Sequence, residues 1–129
     1  MNKLPLIFIF LAVFSSVNVA AEAKREHIEP FYDFLSNPSS QSYADKVSQS
    51  LAKNWASIGD YSGAKKSREK FIKQVKGFGQ LIPDLTWAIE EVITSGDKVV
   101  VRSRATGTPK GPFFGVDGKG KSFDIAILK

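Results

Sequence analysis

Apolar residues recur along this chain with two different periods, and the change between them divides it into a helical half and a sheet half. Leu6 to Phe14 form an unbroken apolar run behind Lys3. Between His27 and Ser36, the residues Ile28, Phe31, Phe34 and Leu35 make one apolar stripe, which predicts a short helix. Asn37-Pro38 stops it, because a proline pushes the preceding residue out of the α region. Ser39 or Ser40 can cap a second helix, on which Tyr43, Val47, Leu51 and Trp55 follow at i+4 spacing. Ile58 to Gly63 reads as a turn. Phe71, Val75 and Phe78 then predict a third helix from about Ala64 to Gln80, weakened by Gly77 and Gly79 and ended by Pro83.

From Leu85 the period falls to two. Leu85, Trp87, Ile89 and Ile93 lie on one side of a strand, with Thr86, Ala88, Glu90 and Val92 on the other. In the next strand Val99, Val101, Ser103 and Ala105 alternate with Val100, Arg102 and Arg104. A two-residue loop at Ser95-Gly96 would set Trp87 and Ile89 beside Arg104 and Arg102. A three-residue loop, Thr94-Ser95-Gly96, pairs Ile93 with Asp97, Ile89 with Val101 and Trp87 with Ser103. The second register gathers the apolar side chains and gives Gly96 the left-handed position, so it is the one favoured. It sets Glu90 diagonally near Arg102 and leaves Glu91 facing inward beside Val99 unless the strand bulges. The basic, glycine-rich Gly118-Lys119-Gly120-Lys121 reads as the turn feeding a last strand, Ser122 to Leu128, rather than as a nucleotide loop.

Lys3, the apolar run after it, and the small-residue sites Val19-Ala20-Ala21 and Ala21-Glu22-Ala23 have the three parts of a secretory signal. The run is shorter than the roughly 17–25 residues of a membrane span. The expected organisation is a signal peptide in 1–23, cleaved near Ala21 or Ala23, and one domain in 24–129. The expected address is secreted or periplasmic, with no membrane attachment after signal removal.

The chain has no cysteine, which rules out disulfides, thiolate metal sites and a cysteine nucleophile. The net charge is +5, and only Lys3 and Glu22 among the charged residues lie in the signal, so its removal leaves that balance unchanged. Much of the positive charge falls on Lys65, Lys66, Arg68, Lys70, Lys73 and Lys76. Lys66, Lys70 and Lys73 share a helical face distinct from that of Phe71, Val75 and Phe78. This reads first as a solvated face and second as an attraction for an anionic surface or ligand. No nucleic-acid-binding motif is present, and nucleic acid is not an expected partner.

Residues 82–123 carry a family resemblance. Pro83-Asp84-Leu85, Gly96 to Arg102, Gly107-Thr108, Gly111, Gly115 and Gly120-Lys121-Ser122-Phe123 resemble the SnoaL-like polyketide cyclases, or ester cyclases, of the nuclear-transport-factor-2-like superfamily. The likeness weakens upstream through Phe71 and Leu51. It implies an α+β fold: a cone-like, curved antiparallel sheet packed on N-terminal helices around an apolar cavity. The expected lining is Phe31, Trp55, Phe78, Trp87, Val101 and Phe114, with Phe113 and Phe114 folding back over the mouth. The implied partner is a small hydrophobic ligand or substrate.

The implied chemistry is intramolecular aldol condensation without metal or cofactor. A carboxylate or imidazole takes a proton from an activated carbon, and donors hold the developing enolate oxygen. Desolvation in an apolar cavity raises a carboxylate's pKa and makes it a better base near neutrality. The family places its Asp, often with a His, on the strand after the Gly-Lys-x-Phe segment. Here that strand reads Phe123-Asp124-Ile125-Ala126-Ile127-Leu128-Lys129, and Asp124 comes too early to match. The resemblance therefore implies a C-terminally incomplete domain with its last strand or strands missing, no assignable catalytic residue, and an inactive chain. The rival expectations are a non-catalytic binding module and an oligomerisation module, since an open sheet edge invites self-association. Among the other polar residues, His27 suits a surface position, Asp84 a turn, and Glu90 with Arg102 a cross-strand pair. Ser57 and Ser103 have no basic partner in the pattern and are not nucleophile candidates.

Overall fold

The computed structural model describes residues 24–59 and 63–129. The expected signal and its cleavage sites lie outside the described residues, as do Asp60, Tyr61 and Ser62 of the predicted turn. The fold is α+β: three helices, a two-stranded hairpin and a three-stranded antiparallel sheet among the described residues.

Helix α1 covers 24–36 and ends before the buried Pro38. Helix α2 (Gln41–Ser50) starts at Ser40, whose Oγ accepts from the Tyr43 N–H at 3.4 Å and satisfies one of the orphan donors of the first turn. It is shorter than the i+4 series suggests. Leu51 already has an extended backbone, so Leu51 and Trp55 leave the helix, yet both still pack against the core.

Strands β1 (Ala56–Ile58) and β2 (Lys65–Ser67) pair antiparallel, Ala56 opposite Ser67 and Ile58 opposite Lys65. This corrects the predicted start of the third helix. Helix α3 (Arg68–Leu81) begins only after Ser67, whose Oγ accepts from the Lys70 N–H at 3.3 Å. Strand pairing claims the backbone groups of 65–67, so Lys66 does not share a helical face with Lys70 and Lys73. Arg68 is not a solvated lysine-like charge either. Its Nη1 donates to the carbonyls of Ser48 and Leu51 at 3.0 and 3.3 Å, at the C-terminal end of α2, where a cation complements the helix dipole.

The main sheet runs in the order β3 (Thr86–Ser95), β4 (Lys98–Gly107), β5 (Phe123–Leu128). Its hairpin departs from the expected register. Ser95 pairs with Lys98, so the loop is Gly96-Asp97, with Gly96 taking the positive φ of 59°. Ile93 lies opposite Val100 rather than Asp97. Between Ile89 and Glu91 the register shifts by one residue, leaving Glu90 as the extra residue of a β-bulge. The bulge reverses the alternation. Before it Trp87 and Ile89 face inward, opposite Ala105 and Ser103; after it Val92 and Thr94 do, opposite Val101 and Val99. Ile93, expected inside, is turned outward and 51% exposed. Glu91 also turns outward and meets Arg102 at 3.2 Å, which removes the inward carboxylate that an unbulged strand would carry.

Phe34, Val47 and Val75 are at the centre of the core, with Tyr32, Leu35, Ala44, Phe71 and the β4 residue Val101 around them. Phe31 stacks on Phe71 with ring centroids 5.2 Å apart, and Trp55 meets Phe71 edge-on at the same distance. The free edge of β3 is covered by α1. Ser36 Oγ accepts from the Trp87 N–H at 2.8 Å and donates to the Trp87 carbonyl at 3.1 Å, which occupies a template for strand addition. No further strand pairs with β5 among the described residues.

Glycines report how tightly these layers meet. A Cβ on Gly107 would lie 2.5 Å from Cγ2 of the buried Ile82 and 3.1 Å from the Phe123 ring, whereas one on Gly77 would meet nothing within 4 Å. Gly107→Ala is expected to destabilise by about 1–3 kcal/mol through overpacking. Gly77→Ala, inside α3, should stabilise by about 0.5–1 kcal/mol. Urea midpoints of the two variants against the parent check both signs.

Candidate functional site

Alternation along β5 aims Phe123, Ile125 and Ile127 at the inner face, since they pair with Gly107, Ala105 and Ser103 of β4. Lys129 continues the same side, exchanging hydrogen bonds with Val101 at 2.7 and 2.9 Å. These side chains form one wall of a cavity of about 450 Å³, the main one between the sheet and the helices; a more open groove of about 560 Å³ lies by Pro83, Asp84, Thr108 and Lys110. Trp87, Leu85 and Ala105 continue that wall. Helix α3 supplies Phe71, Gln74, Val75 and Phe78 opposite, and the hairpin supplies Ser57 and Lys66. Phe113 and Phe114, from the loop between β4 and β5, pack edge-on against Phe78 with centroids 5.7 and 6.4 Å away. Phe114 remains 79% exposed, so the aromatic cluster forms a rim rather than a plug.

A smaller cavity of about 220 Å³ lies between α1 and the segment after α2, lined by His27, Phe31, Trp55 and Val101 among others. The six residues expected to line one pocket are therefore divided. Phe78, Trp87 and Phe114 border the main cavity, while Phe31, Trp55 and Val101 border the smaller one. Lys129 reaches both, with its Nζ 5.9 Å from the Phe31 ring centroid. The sequence pattern missed Lys66, Gln74 and Lys129. For Lys129 the signal was present, because it continues the i+2 series of Phe123, Ile125 and Ile127.

Among the described residues, the polar lining of the main cavity consists of Ser57, Lys66, Gln74 and Lys129, and no Asp, Glu or His borders it. Lys66 Nζ donates to Gln74 Oε1. Burial holds the Lys129 amine below the ordinary lysine range, and the positive charge of Lys66 pushes the same way. Tyr32 is pushed upward by burial. Among the described residues, neither the fully buried Ser103 Oγ nor Trp87 Nε1 meets a partner in hydrogen-bond geometry.

The carboxylates lie elsewhere. Glu90, Glu91 and Asp124 are on the outer face with Arg102 and Arg104. Arg104 bonds Glu90 at 2.9 Å and Asp124 at 2.8 Å, and both hold its guanidinium still more firmly protonated. Glu90 lies 3.8 Å from Arg102. Even residues of β5 point outward, so strand parity keeps Asp124 out of the cavity. His27 is exposed. No group of three or more His, Cys, Asp or Glu able to hold a metal occurs among the described residues, and no helix among them is long and apolar enough to cross a membrane.

One motif has the right spelling in the wrong place. Gly115, Gly120, Lys121 and Ser122 have the spacing of a phosphate-binding loop, G-x-x-x-x-G-K-S. That loop works by presenting backbone N–H groups at a helix N-terminus. Here the segment runs from an isolated Phe113–Val116 bridge into strand β5, so the helix is lacking.

A two-layer α+β domain with an apolar cavity between sheet and helices is the class this geometry defines. The profile of the SnoaL-like polyketide cyclase family matches residues 27–129, and the chain belongs to that family. Its fold is similar to that of TsrD from Streptomyces laurentii, with a TM-score of 0.68 at 16% identity, covering 83% of this chain and 75% of that one. A Jannaschia sp. CCS1 protein assigned as a SnoaL-like polyketide cyclase superimposes with a TM-score of 0.65 at 25% identity, covering 80% and 71%. IdmH from Streptomyces antibioticus, assigned as a polyketide cyclase, gives 0.63 at 22% identity, covering 80% and 77%. No protein of curated function matches the sequence.

Asp84 clamps the start of β3 to the end of β4. Its Oδ1 accepts from the Thr108 N–H at 2.7 Å, and this bond holds its carboxyl below the usual aspartate range. A group whose pKa is depressed by folding contributes stability above its unfolded value of about 4 and loses it as pH falls through the folded value. Asp84→Asn should therefore lower the urea midpoint at pH 6, and the gap from the parent should close progressively on acidification below pH 4. A gap that is constant with pH would assign the loss to something other than this ionised acceptor.

Proposed function

We propose that this domain holds a small hydrophobic molecule, of the carbonyl-bearing kind that cyclase-family chemistry acts on, in the main cavity, and that residues 24–129 supply binding without turnover. The observation that carries the reading is the cavity itself. About 450 Å³ is within the roughly 300–1,000 Å³ range of small-molecule sites, and its walls are aromatic and aliphatic with a few polar groups at one end. Aldol chemistry without a cofactor needs a base against the acidic carbon and donors at the enolate oxygen. Gln74, Ser57 and the two lysines can donate to a carbonyl oxygen. The described lining includes no carboxylate or imidazole to take the proton, and this supports binding over catalysis.

A second reading, self-association, rests on β5, with which no further strand pairs among the described residues, and on the exposed Leu128 of its outer face. Sedimentation velocity over a range of concentrations would register it.

Trp87 borders the cavity, so ligand entry should be visible in tryptophan emission. Titration with a neutral aromatic ketone is expected to give saturable quenching. Phe78→Ala, which removes a ring from the wall, should shift affinity while leaving a cooperative melt. A linear diketone able to undergo intramolecular aldol closure should bind but not cyclise faster than in buffer. Absence of saturable binding would overturn the proposal, and cyclisation abolished by substituting a carboxylate would replace it with an enzymatic one.

A further inference from the structure

We infer that the main cavity selects a hydrophobic carboxylic acid, with Lys66 and Lys129 as the pair that receives the carboxylate. The inference rests on the cavity being a ligand site and specifies what kind of ligand it takes.

The argument begins with charge balance. Two lysines border one largely apolar cavity, from opposite parts of the fold: Lys66 on the hairpin strand β2, and Lys129 beyond the end of β5. The charge of Lys66 reaches Lys129 and opposes its protonation. Neither has a carboxylate side chain as partner among the described residues, where the ion pairs are formed by other cations. Lys66 is held by the neutral Gln74 amide, which orients the amine without cancelling its charge. Lys129 lies against the Phe31 ring, which likewise accommodates a cation without neutralising it.

Such an arrangement is costly when empty. Like charges near a low-dielectric wall repel, and burial strips the Lys129 amine of part of its hydration. A single carboxylate placed between them offsets both terms at once. Two charge-assisted hydrogen bonds would anchor the head. Phe123, Ile125 and Ile127 lie along the same face as Lys129, so an apolar tail can extend from the charged end past Trp87 towards the Phe78–Phe113 rim. The chemistry selected is an apolar body ending in one anion. A polar dianion would leave its second charge against aromatic walls, and a neutral lipid would leave both amines unmatched.

Dodecanoate and dodecanol separate the head from the tail, because they share the chain and differ in charge. Binding is measured by calorimetry or tryptophan emission below the micellar concentration, with the whole chain. The parent is expected to bind dodecanoate at least about tenfold more tightly than dodecanol, as a charge-assisted hydrogen bond lost or gained implies. Lys66→Gln and Lys129→Gln should each weaken dodecanoate by about tenfold and change dodecanol by less than about threefold. Thermal melts of both variants establish that they fold, and agreement between two lysines on separate elements guards against a local defect in either. Equal affinity for acid and alcohol in the parent would overturn the carboxylate assignment while leaving the cavity as a hydrophobic site. Parallel loss of both ligands in the glutamine variants would also overturn it. Failure of the parent to bind either compound would overturn the binding reading itself.

Discussion

One extra residue in strand β3 decides what the inner face of the sheet contains. Without the bulge at Glu90, strict alternation would carry Glu91 inward and leave Val92 in solvent. A buried, unpaired carboxylate beside Val99 and Val101 would cost more than the apolar contacts around it return. The bulge moves both glutamates to the outer face, where Arg102 and Arg104 meet them, and sends Val92 inward. The apolar inner surface and the charged outer ladder are two consequences of the same local irregularity.

The helices then complete what the sheet begins. Ser36 closes the main-chain edge of β3 at Trp87, Ser67 fixes where α3 starts, and Arg68 ties that start to the end of α2. These polar contacts set α3 across the sheet with Phe71, Val75 and Phe78 facing it. Between them the core is filled near Phe34, Val47 and Val75 and left open near Phe78 and Trp87. The cavity is thus the part of the interface where large side chains meet across a gap rather than interdigitate.

Its chemistry follows from which charges the fold admits. All the carboxylates of the sheet are on the outer face, and Lys66 and Lys129 border the cavity. Membership of the SnoaL-like polyketide cyclase family describes the scaffold, and one scaffold supports many site chemistries. What this chain's own residues furnish within the described region is a greasy chamber with a cationic end.

Much of this was readable from residue order alone. The stripes Ile28–Leu35 and Phe71–Phe78, the stop at Pro38 and the alternation along β4 are local properties, set by helical and strand periods and by backbone chemistry. The single-residue insertion at Glu90 was not readable, since it depends on which partner residues oppose each side chain; the pattern showed only that Glu91 did not fit. Strand pairing of Lys65–Ser67 was hidden for the same reason, because a three-residue strand is stabilised by its partner rather than by its own propensity. The division of the aromatic residues between two cavities, and the presence of Lys66 and Lys129 along one of them, came only from the packing of distant segments, for which sequence spacing supplies no distance.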